Sequence, residues 1–240
     1  MTKISPAFFT RFYPSSAHDG TAAFYKWIRT SINANTILLN LGAGPTPDNP
    51  VRRFRGDVSR TVGIDIDPAV LKNTDLDEAH VIDASGKFPL QDNSVDIIVS
   101  DFVLEHVEFP LIFLVEAQRV LRPGGSLYFR TPNQLHYVAT IARITPHSFH
   151  LLIANKARGL PEHAHAPYPT FYRMNSRTKV ARLAREAGFK SVEFRMWEAE
   201  PSYLAFSIPT FLLGVAYERL VNSSELFSVF RANIFGNLTK

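Results

Sequence analysis

Four apolar runs in the first half of the sequence each end in residues that can do chemistry. Ile37–Leu41 runs into Gly42-Ala43-Gly44, Thr61–Ile64 into Asp65, Ala79–Ile82 into Asp83-Ala84, and Val95–Val99 into Ser100-Asp101, with Glu105 and His106 just beyond. A Gly-x-Gly turn after a strand lets a ligand come up against the main chain. An acid about 20 residues later, at the next strand's C-terminal end, accepts hydrogen bonds from both hydroxyls of a ribose. Asp65 occupies that place, and the capping of the following Pro68 turn suits Asp67 better. The Asp83 carboxylate can accept from an adenine amino group while the Ala84 N–H meets a ring nitrogen; the plainer reading is a solvated turn aspartate. His106, with Glu105 beside it, offers an imidazole tuned near neutrality as a proton acceptor. The plainer reading there is a pair that opens or caps the helix Leu111–Leu121 and packs on the sheet.

The glycine turn lacks what a phosphate site needs. No Gly-Lys-Ser/Thr follows it, the third glycine of a dinucleotide fingerprint is missing, and Pro45 and Pro47 flank Thr46. These prolines remove N–H groups that a pyrophosphate would use. A nucleotide phosphate and the adenosyl part of a phosphate-free cofactor are the two candidate ligands, and the residues downstream have to choose between them.

The elements that must position these residues follow from the hydrophobic pattern. Strands are expected at Thr36–Leu41, Thr61–Ile64, Ala79–Ile82, Val95–Ser100 and Ser126–Arg130, with continuous Val/Ile/Leu character that marks strands buried on both faces. A helix at Leu111–Leu121 ends in "RPGG", and Thr21–Ile32 carries Phe24, Trp27, Ile28 and Ile32 on one stripe. Strand alternating with helix predicts a doubly wound, Rossmann-like α/β fold with a seven-stranded, mainly parallel sheet and helices on both faces. The expected organisation is one domain over 1–240: a helical lead-in (1–35), a cofactor-binding core (36–133), a His- and aromatic-rich lid insertion after strand 5 (134–175), and a C-terminal part (176–240). In that last part Ser176 caps a helix closed by Gly188, "SVEFRMWE" is a strand, Pro201–Leu220 is an apolar helical segment, and "RANIFGNLTK" returns as a last strand.

"LNLGAGP", "VGIDIDPAVL", "VIDASGKFPLQDNSVDIIVSDFVLEHV" and "EAQRVLRPGGSLYFRTPN", in this order over Ile37–Asn133, resemble the class I S-adenosylmethionine-dependent methyltransferases, in the subgroup with "LEHV" and "VLRPGG" signatures. The resemblance implies S-adenosyl-L-methionine as cofactor. It implies that Gly42, Ala43 and Gly44 approach its methionine part, that Asp65 binds ribose and Ile66 stacks on adenine, and that Asp83 and Ala84 read the adenine edge. Ser100 would offer its carbonyl to the cofactor amino group, with Asp101 beside it over the site. The family usually carries an acid where this chain has Asn40, which loses a charge that would attract the cofactor's ammonium; Asp101 or Glu105 are the candidates to compensate.

The insertion supplies His136, Tyr137, His163, His165 and Tyr172 as expected lining of an acceptor pocket, and no metal is expected from the His163-x-His165 pair. Pro201–Leu220 has two readings, a buried cover for the pocket or a Phe/Leu face docked on a membrane or lipid tail; Pro209 interrupts it too early for a span. No cysteine is present, which excludes disulfides, thiolate zinc and cysteine nucleophiles. Twenty-six basic against 22 acidic residues, without a basic arm, give no nucleic-acid footprint. "MTKISPAFFTRFYP" has no uninterrupted apolar core and does not read as a signal peptide, so a cytoplasmic location, with peripheral membrane contact through 201–221 as the variant, is expected. The functional expectation is methyl transfer to a small-molecule, lipid-linked or glycan-type acceptor, foremost at oxygen. The alternatives are a catalytically degenerate binding or scaffold protein, kept open by Asn40, and a nicotinamide-dependent oxidoreductase, which the missing third glycine disfavours.

Overall fold

The structure, a computed structural model, describes residues 4–15, 19–144 and 168–240, without the side chains of 141–144. Seven strands form one sheet: β1 (Ile37–Leu41), β2 (Arg60–Asp65), β3 (Glu78–Val81), β4 (Val95–Asp101), β5 (Leu121–Pro132), β6 (Ser191–Trp197) and β7 (Asn233–Thr239), in the order β3-β2-β1-β4-β5-β7-β6. The β1–β2, β1–β4, β2–β3 and β4–β5 ladders are parallel. Leu38, Leu39, Val62, Ile64, Ile98 and Val99 have no exposed surface, as the unbroken apolar runs require. The order reverses direction between β1 and β4, and at such a switch point the strand ends leave a crevice where ligands bind.

The described helices are α1 (Pro6–Phe12), α2 (Gly20–Arg29), α3 (Pro110–Val120), α4 (Tyr137–Ile144), α5 (Arg177–Glu186) and α6 (Ile208–Asn222). α1 carries Ser5 as N-cap and Pro6 in its first turn, a start signal that the sequence reading passed over. α5 is capped by Ser176, whose hydroxyl accepts from Lys179 N–H, and the chain leaves it through Gly188 at φ +91°. "RPGG" lies inside the bounds of β5 rather than between helix and strand. The β4–β5 register slips there, from Val95 opposite Leu121 to Ile97 opposite Ser126, so the turn is absorbed as a strand irregularity.

The chain divides into two compact units. The first, Phe24–Thr131, Thr170–Arg195 and Ile234–Lys240, holds nearly all of the sheet. Phe24, Ile28, Leu114, Val120, Phe129, Val180 and Phe235 are buried in it. The second comprises Met1–Ala23, Pro132–Pro169 and Met196–Asn233. Its centre is Phe211 of α6, ringed by Phe8, Phe9, Phe12 and Tyr13 with centroids 5.5–6.2 Å away. Burial lifts the Tyr13 hydroxyl above the usual phenol range, and that hydroxyl donates to Glu218 at 3.2 Å.

Two expectations for the apolar segment are corrected. Pro209 does not interrupt a helix; it sits in the first turn of α6 behind the Ser207 cap, where a missing N–H costs nothing. Nor is α6 buried all round. Phe211, Gly214, Glu218 and Val221 form its buried stripe, while Ile208, Leu212, Leu213 and Leu220 are exposed. Glu218 lies within the buried stripe, where the Tyr13 hydroxyl and the Asn222 amide satisfy its carboxylate.

Candidate functional site

The switch point brings together the ends of β1, β2 and β4. Gly42 and Gly44 take φ +76° and +54°, a region that side chains with a Cβ rarely enter. Gly42 and Ala43 N–H groups donate to the Ile64 carbonyl at 2.8 and 3.3 Å, folding the turn across the end of β2. A Cβ at Gly42 would lie 2.3 Å from Val103 Cγ2, whereas one at Gly44 would meet nothing within 4 Å. The side of Gly44 where a Cβ would stand therefore faces open space.

Asp65 terminates β2 directly against this turn. One carboxylate oxygen accepts from Gly44 N–H at 2.8 Å and the other from Asp67 N–H at 2.9 Å. Each oxygen keeps lone-pair capacity for a further donor. Ile66, the next residue, is 62% exposed, an uncovered apolar face beside a fixed carboxylate. Asp67 caps the turn Pro68–Lys72, as its spacing to Pro68 led us to expect.

Residues that the sequence reading missed hold the glycine turn from below. The Asn73 amide donates to the Gly44 carbonyl at 3.1 Å, Thr74 N–H donates to the Thr46 hydroxyl at 2.8 Å, and the Arg53 guanidinium donates to the Pro47 carbonyl. The only sequence signal was a run of capping-type residues, Asn73-Thr74-Asp75, after an apolar turn. Asn40 lines a cavity together with Arg52, Arg53, Thr61, Asn73 and Asp75. The amide thus sits among two cations and one nearby acid, and no carboxylate stands at its own position.

At the end of β4, Ser100 is fully buried and its hydroxyl finds no hydrogen-bond partner among the described residues. Asp101 is clamped by Arg130 at 2.6 and 2.8 Å, by the Tyr25 hydroxyl at 3.3 Å and by Arg52 at 3.5 Å. Its charge is already matched, so it brings no spare negative charge to offset Asn40. Phe102 follows at φ +59°, a strained value for a bulky residue, with the Arg130 guanidinium 4.4 Å from its ring centroid.

Glu105 and His106 lie in the short turn Leu104–His106, ahead of α3, so they neither open nor cap that helix. Glu105 is buried; Thr131 donates to its carboxylate at 3.0 Å, and Asn175 in turn donates to Thr131 at 2.8 Å. Its carbonyl accepts from Phe171 and Tyr172 N–H, which ties the segment carrying Tyr172 to this turn. His106 is half-buried. Burial pushes the Glu105 carboxyl up from its ordinary value. Folding therefore costs more as pH rises from the unfolded carboxyl range through the raised folded value, and below that window the penalty is absent. Glu105→Gln, which keeps an acceptor for Thr131, is expected to raise Tm at neutral pH and to leave it unchanged in acid. A variant less stable than wild type at neutral pH, measured by thermal melts across pH, would contradict this.

Asp83 and Ala84 lie in an exposed turn. The Asp83 carboxylate accepts from Ser85 N–H and hydroxyl, and these bonds hold it below the usual carboxylate range. That is the geometry of a turn aspartate, with the second oxygen left available. His136 and Tyr137 belong to the second unit. There His136 is buried with Nε2 3.5 Å from Glu198, its ring 4.2 Å from that of Tyr137 and 5.6 Å from that of Tyr217. Burial and the Glu198 charge push the Tyr217 hydroxyl up to about 12. His163 and His165 lie outside the described residues.

Residues present thus fit an adenosyl cofactor: a glycine turn open on the Cβ side of Gly44, an acid with free acceptor capacity and an exposed Ile66 converge where the strand order reverses. Residues 39–129 match the Methyltransf_11 family, described as a methyltransferase domain. A Mycolicibacterium smegmatis protein named as an S-adenosylmethionine-dependent methyltransferase is 35% identical over 102 residues, 41% of this chain and 39% of its own length. The chain spans less than half the length of the curated relatives it matches. Among solved structures, the complex of the Haloferax volcanii Trm112 methyltransferase activator with a methyltransferase matches with a TM-score of 0.57 and 19% identity, covering 97% of this chain and 94% of that one. The [4+2]-cyclase SpnF matches at 0.53 and 17%, covering 93% and 80%. These structures share the fold, which hosts more than one reaction. Residues 39–129 are thus similar to a methyltransferase domain, and part of the chain is similar to a protein named as S-adenosylmethionine-dependent.

Proposed function

We propose that the protein transfers a methyl group from S-adenosyl-L-methionine to a small-molecule, lipid-linked or glycan-type acceptor, foremost at oxygen. The observation that carries this reading is the Asp65 carboxylate, fixed by Gly44 and Asp67 N–H groups beside the exposed Ile66. When bound, the cofactor supplies an activated methyl on a sulfonium. Asp65 would accept from its ribose hydroxyls, Ile66 would offer an apolar face to its adenine, and Asp83 and Ala84 would meet the adenine edge. Gly42, Ala43 and Gly44 leave room for the methionine part, Ser100 offers its carbonyl to the amino group, and Asn40 and Asp101 complete the surroundings. Methyl transfer is an in-line displacement, so the chain's main task is alignment, with a base for a hydroxyl acceptor. His106 takes that proton, and Glu105 anchors the turn that carries it. His136, Tyr137, His163, His165 and Tyr172 are assigned to the acceptor side.

A second reading, a degenerate binding or scaffold protein, is favoured by Asn40 and by the full neutralisation of Asp101. Calorimetric titration with S-adenosylmethionine and S-adenosylhomocysteine separates the two. Wild type is expected to bind both, and Asp65→Ala to weaken binding by roughly a hundredfold, the loss of two charge-assisted hydrogen bonds. Failure of the wild type to bind either ligand would remove the enzyme reading and leave the scaffold.

A further inference from the structure

Among the described residues, α6 and the start of α3 each expose several apolar side chains. On α6 the exposed Leu212, Leu213 and Leu220 are flanked by charges of opposite sign, Arg219 and Glu225, and nothing there selects an occupant. The start of α3 differs. Phe109 is 60% exposed, Leu111 41%, Ile112 55% and Val115 44%. Phe171 and Tyr172, also partly exposed, are held to the preceding turn by their N–H donations to the Glu105 carbonyl. Arg173 donates to the Glu108 carbonyl, and its guanidinium lies 5.2 Å from the Phe171 ring centroid.

From there the chain enters α5, which packs beside α3. Arg173, Arg177, Lys179, Arg182 and Arg185 follow one another over this stretch, against Glu186 alone. Val180 and Ala184 take the buried side of α5, which leaves Lys179, Arg182 and Arg185 exposed. Arg182 pairs only loosely with Glu186, at 3.7 Å, with two thirds of its side chain in solvent. The acids on α3, on α5 and in residues 107–109 before α3 are Glu108, Glu116, which Arg119 neutralises, and Glu186, and the basic residues outnumber them.

Exposed aliphatic side chains next to a basic helix match a surface that takes apolar groups without shape matching and carries phosphates above them. Phe109, Phe171 and Tyr172 offer faces on which bases could stack, but Leu111, Ile112 and Val115 have none, so a polynucleotide leaves the aliphatic part of the patch uncovered. We propose that the α3–α5 edge docks on an anionic lipid surface, with Phe109, Leu111, Ile112 and Val115 entering the interface and the α5 cations pairing with lipid phosphates. The docking stands independently of whether methyl transfer is the reaction. It also assigns the membrane contact to residues of the first unit rather than to 201–221.

The test is vesicle flotation of the full chain with phosphatidylcholine alone and with added phosphatidylglycerol. Wild type is expected to float with the anionic vesicles only and to be released by salt. Ile112→Glu and the pair Arg182→Glu/Arg185→Glu are each expected to lower the bound fraction more than about tenfold with unchanged melting temperature, while Leu213→Glu on α6 leaves it intact. Three results would each overturn the proposal. The first is no binding by the wild type. The second is equal binding by the variants, or loss in Leu213→Glu alone. The third is indifference to vesicles while the same substitutions abolish self-association or binding to a homopolymeric RNA.

Discussion

Arg130→Met is expected to cost about 3–5 kcal/mol of unfolding free energy, as breaking one side of a buried ion pair does. Arg130 and Asp101 are 3% and 6% exposed, and the guanidinium meets the carboxylate with two short bonds while lying against the Phe24 and Phe102 rings. Removing the cation leaves a desolvated carboxylate with the Tyr25 hydroxyl and the partly exposed Arg52 as its partners. The Tyr25 hydroxyl is itself raised above the usual phenol range by burial and by the Asp101 charge, so it remains a neutral donor. Removing both charges together is a milder change, and Arg130→Met/Asp101→Leu is expected to recover most of the loss. Urea denaturation of the two singles and the double closes the cycle. If Arg130→Met alone costs under about 1 kcal/mol, Arg52 has replaced it and the pair does not hold the end of β4.

Gly236→Ala carries a comparable expected effect for a different reason. Gly236 lies within β7, and an added Cβ would stand 2.1 and 2.2 Å from two atoms of the Phe129 ring. Phe129 is fully buried, so the ring cannot swing into solvent, and the strand or the ring must shift. Overpacking of this kind costs about 3 kcal/mol. Phe129→Leu in the same background should return part of it, with a coupling of about 1 kcal/mol or more. Purely additive losses in thermal and urea melts would mean that the close approach of β7 to the ring is not the cause.

Much of the sheet was legible from composition. β1, β2, β3 and β4 begin and end within a residue or two of the apolar runs. β3, expected to be equally buried, lies at the sheet edge and is half-buried along its length. β1, β2 and β4 match their runs because a strand buried on both faces must be apolar throughout. Asp65 was legible for the same reason: a lone acid closing such a run has few structural duties. Asp101 looked alike in sequence, but its partner Arg130 is set opposite it by the β4–β5 register, and no local pattern reveals a register that includes a slip. α6 failed for a different cause. Its composition is apolar on every face, so no periodicity marks the stripe of Phe211, Gly214, Glu218 and Val221 that is buried. His136 and Glu198 meet only through the fold of the second unit, beyond any spacing argument.

Because β7 inserts between β5 and β6, the right half of the sheet cannot zip up in the order in which its strands leave the ribosome. β5 is complete at Pro132 and must wait, with one edge unpaired, until Asn233–Thr239 has been made. β6 is formed in the meantime and has no strand to join. Closing so long a loop is entropically slow, and it favours late completion of the sheet. An unpaired edge next to the apolar β5 interior during that interval is a site for pairing with another chain. Expression yield should therefore respond to temperature and chaperones far more than the stability of the finished fold would suggest.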